Sequence, residues 1–166
     1  AIGMKHPGFL EVGWYETMAA LKILADGSDS ALYKKLVDTG LASSVSFSQN
    51  PTKDTDLATI SITLTPKTTH TKMEILVRKI VDEVDEAYLK KHLKNIVTKT
   101  ITDEIFSRDS SLNIAAELTE YVSAGNWSNY FETEKLLRSL TAKQIKNRLK
   151  ELFKDNNLTI GNYKSI

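Results

Sequence analysis

The side chains able to do chemistry in this 166-residue chain are few, and their spacing limits what they can do. Cysteine is absent, which removes thiolate zinc sites, disulfides and a cysteine nucleophile together. Three histidines occur, His6, His70 and His92. None stands in His-Glu-x-x-His or its inverted form, the pattern that sets two imidazoles and a base on one helix face. His70 and Glu74 lie four apart and share a face if the segment is helical. As a bare two-ligand pair they would be the start of a zinc hydrolase site; the plainer reading is a solvated helix start. His92 is ringed by Lys90, Lys91 and Lys94, and like charge there disfavours a bound cation, so it reads as exposed polar surface. His6, ahead of Pro7, reads as a surface residue at a strand end.

The remaining polar groupings have structural explanations. Asp26-Gly27-Ser28-Asp29-Ser30 has the composition of a phosphate or cation loop but the spacing of neither. Helix termination at Gly27, then a cap from Ser28 or Ser30, accounts for it. Gly-x-Ser-x-Gly, the hydrolase elbow, is absent. Asp82, Glu83, Asp85 and Glu86 next to Lys90, Lys91 and Lys94 read as a solvated helix junction with i,i+4 pairs. Trp127, Tyr130 and Phe131 follow Gly125 closely. They form either an aromatic plug over a helix layer or a surface that contacts a peptide substrate or a partner. No residue is assigned a catalytic, cofactor-binding or metal-binding role.

Composition bounds the class. A hydrophobic share of 41% supports a real core, and 22 basic against 21 acidic side chains leave a net charge of +1. That balance argues against a dedicated nucleic-acid binder, which carries a one-signed basic face. No apolar run is long enough to span a membrane. Ala1 to Lys5 lacks the apolar core of a signal peptide and begins as though cut from the interior of a longer chain. The expectation is one domain over 1–166.

The elements that must position these residues follow from periodicity. A strand is expected over Ala1 to His6, then a helix over Trp14 to Ala25 with Met18, Leu21 and Leu24 on its stripe. A short helix, Ser30 to Asp38, precedes two alternating strands, Ala42 to Gln49 and Leu57 to Thr65, which read as an antiparallel hairpin. Ser43, Val45 and Phe47 are expected on one face of the first, and Ile60, Ile62 and Leu64 inward on the second. Helices follow over Thr71 to Val84, about Glu86 to Phe106, Ser111 to Ala124, Glu132 to Ser139 and Ala142 to Phe153, with Thr141 as a cap. A last strand is expected over Leu158 to Tyr163. Grouped strands and helices predict an α+β fold, with an antiparallel or mixed sheet covered on one face by helices.

Leu24 to Ser48 resembles the helix-loop-helix-strand unit of the pitrilysin/insulinase-type zinc metallopeptidases, through Asp29-Ser30-Ala31-Leu32-Tyr33-Lys34 and Leu41-Ala42-Ser43-Ser44-Val45. Leu118 to Phe131, Leu140 through Phe153 and Asn156 to Tyr163 resemble the end of a non-catalytic domain in long bacterial members. The resemblance implies a fold like the domains of the mitochondrial-processing-peptidase type. It implies the inactive, chamber-wall domain of a zinc-dependent metallopeptidase, with zinc in the catalytic domain of the same parent chain. The family's Arg and Tyr, which hold the substrate backbone, correspond here to Val37 and Ser43, which cannot donate as a guanidinium or a phenol does. Implied partners are the parent's catalytic domain, peptide substrate and a second copy through a sheet edge; the implied compartment is the periplasm, as a soluble protein. Family domains of this kind begin with a further strand-helix-strand unit, so 1–166 is expected to be the larger C-terminal part of one. The alternative is a structural or assembly domain of the same fold, like core subunits of respiratory complexes.

Overall fold

The computed structural model describes residues 1–164. In chain order the elements are β1 (Ile2–His6), α1 (Val12–Ala25), a π-helical turn (Tyr33–Val37), β2 (Ala42–Ser48) and β3 (Asp56–Leu64). There follow α2 (His70–Glu83), α3 (Glu86–Ser107), α4 (Ser111–Ala124), a 3-10 turn (Trp127–Phe131), α5 (Thr133–Ser139), α6 (Ala142–Leu152), a second 3-10 turn (Asp155–Asn157) and β4 (Leu158–Ile160). The four strands form one sheet in the order β2-β3-β1-β4, every pairing antiparallel. The fold is α+β.

Strand parity divides the sheet cleanly. Ile2, Met4, Ala58 and Ile60 point into the helix layer and are buried, whereas Lys5, Ser61, Thr63 and Thr159 on the opposite parity are exposed. Val45 faces Ile62 and Phe47 faces Ile60 across the hairpin. Ser43 sits in a bulge between the Ala42–Leu64 and Ser44–Thr63 pairs. The bulge turns the strand so that buried Ala42 and half-buried Val45 can both face the core. The expected strand after residue 157 is shorter than its alternation suggests. β4 ends at Ile160, and one further backbone pair joins Gly161 to Ala1 in both directions, at 2.9 and 2.8 Å.

α1 is the central helix, with Tyr15, Met18, Leu21 and Leu24 buried. It packs against α3, α6 and the sheet. α6 lays Ile145, Leu149 and Leu152 into the same core, each at 1% exposure or less. Its start carries a complete capping box: Thr141 Oγ1 accepts from Gln144 N at 3.3 Å, and Gln144 Oε1 accepts from Thr141 N at 2.9 Å. α4 ends on Gly125, whose φ of +106° is left-handed, while Asn126 N reaches back to Tyr121 O at 3.0 Å.

The segment expected as a capped α-helix over Ser30 to Asp38 differs. Ser30 caps nothing; its hydroxyl donates to Gly27 O at 2.8 Å, and its side chain is buried. From Tyr33 the chain widens to i→i+5 bonding, with Asp38 N on Tyr33 O at 3.2 Å. Leu32 and Leu36 are fully buried, so tertiary packing, not local capping, fixes this turn.

Candidate functional site

The sequence-selected residues do not converge. His6 is buried at 1% exposure, not on the surface. β1 parity aims it inward with Ile2 and Met4, and its Nδ1–H donates to Pro7 O at 2.7 Å. His70 lies at the start of α2, where its Nε2 is 3.1 Å from Tyr163 O. Glu74 pairs with Arg78 at 3.7 Å, and it lines one small cavity together with His70. His92 stacks on Tyr88 with ring centroids 4.3 Å apart, and burial beside Lys91 holds its pKa below the ordinary imidazole value. Among the described residues no group of three or more His, Asp or Glu side chains is arranged to hold a metal ion.

The acidic junction makes one of the expected kind of i,i+4 pair, Lys79 with Glu83, and a tertiary pair besides. Glu83 meets Lys35 from the π-helical turn and, at 3.9 Å, Lys79. The Lys35 ammonium holds the Glu83 carboxyl below the usual range. Asp85 caps α3 by accepting from Tyr88 N at 2.7 Å. Asp29 pairs with Lys34 at 3.0 Å at the exposed end of the Asp26–Ser30 loop. Val37 packs against the core, and Ser43 Oγ donates to Thr63 O at 3.4 Å within the bulge.

The aromatic trio divides. Tyr130 is buried at 6% exposure, whereas Trp127 and Phe131 are 59% and 66% exposed. Most of the large exposed apolar side chains lie in this part of the chain: Ile105, Phe106, Leu112 and Val122 as well. A second open surface is the outer face of the sheet, where Ser44, Ser46, Ser48, Ser61 and Thr63 present hydroxyls. Ser44 Oγ donates to Thr63 Oγ1 at 3.0 Å across the hairpin.

A cleft of about 330 Å³ opens between α1, the end of α3, α4 and the Trp127–Phe131 turn. Phe9 sits at its base, edge-on to Trp14 at 4.8 Å and tilted on Tyr121 at 4.7 Å. Tyr130 closes one side, with the Arg108 guanidinium 4.6 Å from its ring centroid. Thr133 donates its one proton to Asn129 O at 3.1 Å, so Tyr121 donates to Thr133 Oγ1, 2.5 Å away. Burial raises the Tyr15 and Tyr121 hydroxyl pKa values and that of the Glu104 carboxyl above their ordinary ranges. Sequence reading missed Glu104 and Glu117. The available signal was Glu117 on the helix face that also carries Ile114, Leu118 and Tyr121.

The family model for the peptidase M16 inactive domain matches residues 1–108. Comparison with curated proteins gives no match. Among solved structures, the inactive peptidase domain of a presumed zinc protease from Bordetella parapertussis superposes with TM-score 0.84 at 20% identity, over 98% of this chain and 91% of that one. A protease from Helicobacter pylori gives 0.82 at 20% identity over 95% of this chain, which spans 38% of that protein's length. The periplasmic protease PqqL from Escherichia coli gives 0.70 at 16% identity, over 92% of this chain and 17% of that one. At these identities the likeness establishes the fold, and the family rests on the sequence match. That match covers well over half of the chain and includes the unit at Leu24 to Ser48, so the chain belongs to the peptidase M16 inactive-domain family.

Proposed function

We propose that this chain is the non-catalytic wall domain of a larger zinc-dependent peptidase and contacts peptide without cleaving it. The observation that supports this most directly is the sheet. One face is sealed by helices; the other is bare and lined by Ser44, Ser46, Ser48, Ser61 and Thr63. A broad hydroxyl surface suits sequence-tolerant contact with peptide, and edge strand β2 adds an unpaired row of backbone groups. In this reading zinc belongs to the catalytic domain of the parent chain. Trp127, Phe131 and the neighbouring exposed apolar side chains pack against that domain. The similar domain in Bordetella parapertussis and the periplasmic neighbour in Escherichia coli support residues 1–166 as one unit of such a parent, acting in the periplasm.

The test is an NMR titration of the chain with extended peptides of mixed sequence. Amide shifts confined to β2 and β3, with the peptides intact afterwards, are expected. Absence of any shift at millimolar peptide would favour the alternative, a purely structural or assembly domain. Self-association through the β2 edge is part of the proposal, and light scattering that finds only monomer at high concentration would remove it.

A further inference from the structure

Beside the aromatic wall of the cleft stand buried polar atoms whose hydrogen-bonding capacity is not filled. Tyr15 is 2% exposed and lines the cleft, its Oη beside the Tyr121 and Thr133 hydroxyls but in no hydrogen bond of full geometry. Gln49 Oε1 is likewise buried and unpartnered. A buried polar atom without a partner is costly, so an occupant that supplies donors relieves that cost. Glu104 adds a carboxyl from α3 that lines the same space.

The lining's own cations are partly engaged. Lys22 Nζ donates to Thr100 Oγ1 at 3.0 Å, and the Arg108 guanidinium carbon lies 4.6 Å from the Tyr130 ring centroid. Against these two charges stand Glu104, Glu117 and Glu120, so an anion entering the cleft would meet excess like charge. A cation would meet acceptors, carboxylates and ring faces, and aromatic faces attract cations. The volume suits one long side chain rather than a folded partner.

We propose that the cleft binds the side chain of a lysine or arginine carried by a peptide, with its charged head among Tyr15, Gln49 and Glu104. The methylene stem lies along Phe9 and Trp14. Arg108 Nε, buried and unpartnered, is the donor left for a peptide carbonyl beside that side chain. The proposal rests on the peptide-contact reading for the polymer that carries the side chain; the chemistry of the cleft does not.

The experiment uses small capped amino acids as probes and the Trp14 indole N–H resonance as readout. That N–H donates to Asn50 O at 3.1 Å at the edge of the cleft, and its peak is assigned by its loss in Trp14→Phe. Nα-acetyl-lysine-N-methylamide and its arginine analogue are expected to shift it saturably, and the norleucine analogue is not. Glu104→Gln is expected to weaken the basic probes about tenfold, the cost of one charge-assisted hydrogen bond. Gln49→Leu tests the head-group contact from a second element and is expected to weaken them as well. Equal binding of norleucine, preference for the aspartate analogue, no saturation by any probe, or unchanged affinity in both variants would each overturn the proposal. Basic probes that bind while long peptides leave β2 and β3 unshifted would keep the cleft and remove the wall-domain reading. Peptides that shift the sheet while the probes leave Trp14 untouched would do the reverse.

Discussion

Arg148 on α6 grips Glu16 on α1 through one carboxylate oxygen, 3.2 Å from Nε and 3.0 Å from Nη2. Its other terminal nitrogen reaches Glu151 at 2.8 Å. The Arg148 and Glu16 side chains are only 18% and 13% exposed, so the pair is shielded from solvent and its loss would strand a charge. Arg148→Met is expected to destabilise the chain by about 3 kcal/mol, read as a lower urea midpoint at unchanged slope. Gly13 stands against the same guanidinium: a Cβ there would meet Arg148 Nη2 at 2.5 Å and Pro7 Cγ at 2.8 Å. Gly13→Ala is therefore expected to cost about 1–3 kcal/mol by forcing the pair apart.

The capping box at Thr141 makes a smaller, local prediction. Thr141→Ala removes the side-chain oxygen that accepts from Gln144 N, and should cost about 1 kcal/mol. Thr141→Ser keeps the oxygen and should recover most of that. Thermal unfolding of the two variants side by side checks it.

Glu104 makes stability depend on pH in a known direction. Desolvation raises its folded-state pKa above the unfolded value, against the pull of Arg108 just past the end of α3 and Lys22 on α1, and with added push from Glu117 and Glu134. Tyr15 and Tyr121, both neutral at working pH, also face it. A raised carboxyl pKa means that ionisation opposes folding, so the penalty is absent below the unfolded pKa, near 4.3, and grows as pH rises through the folded value. Glu104→Gln should thus match the unsubstituted domain in melting temperature near pH 4 and exceed it at pH 7.5. A gain confined to acid would contradict the assignment.

The aromatic trio should separate by mutation as it does by burial. Tyr130→Ala removes a buried ring and the surface under Arg108, and should cost about 3 kcal/mol. Trp127→Ala and Phe131→Ala should change stability by less than about 0.5 kcal/mol, because both rings are mostly exposed. If those two anchor the parent's catalytic domain, they should weaken its association instead, measured by co-elution with the remainder of the parent chain.

Much of this fold was legible because local and tertiary signals agreed. Alternation in Leu57 to Thr65 and helical spacing in Met73, Val77 and Ile80 placed those residues on the buried faces they occupy, at least in part. Disagreement arose where packing overrode a local preference. Ser30 is a good cap by type but is drawn inward, and the turn after it widens to a π-helix. His6 is polar and precedes a proline, yet strand parity buries it. The bulge at Ser43 could not be read from alternation, since a single extra residue shifts the parity without changing composition. The cleft was invisible for another reason. Tyr15, Gln49, Glu104 and Tyr121 come from four separate segments, and only the tertiary fold brings them together.

In the proposed function this domain serves proteolysis without performing it. The most direct measurement is turnover of a mixed fluorogenic peptide library by the purified chain, supplied with stoichiometric Zn²⁺ and assayed with and without chelator. Cleavage no faster than buffer is expected in both conditions. Chelator-sensitive cleavage that co-purifies with the chain would contradict it.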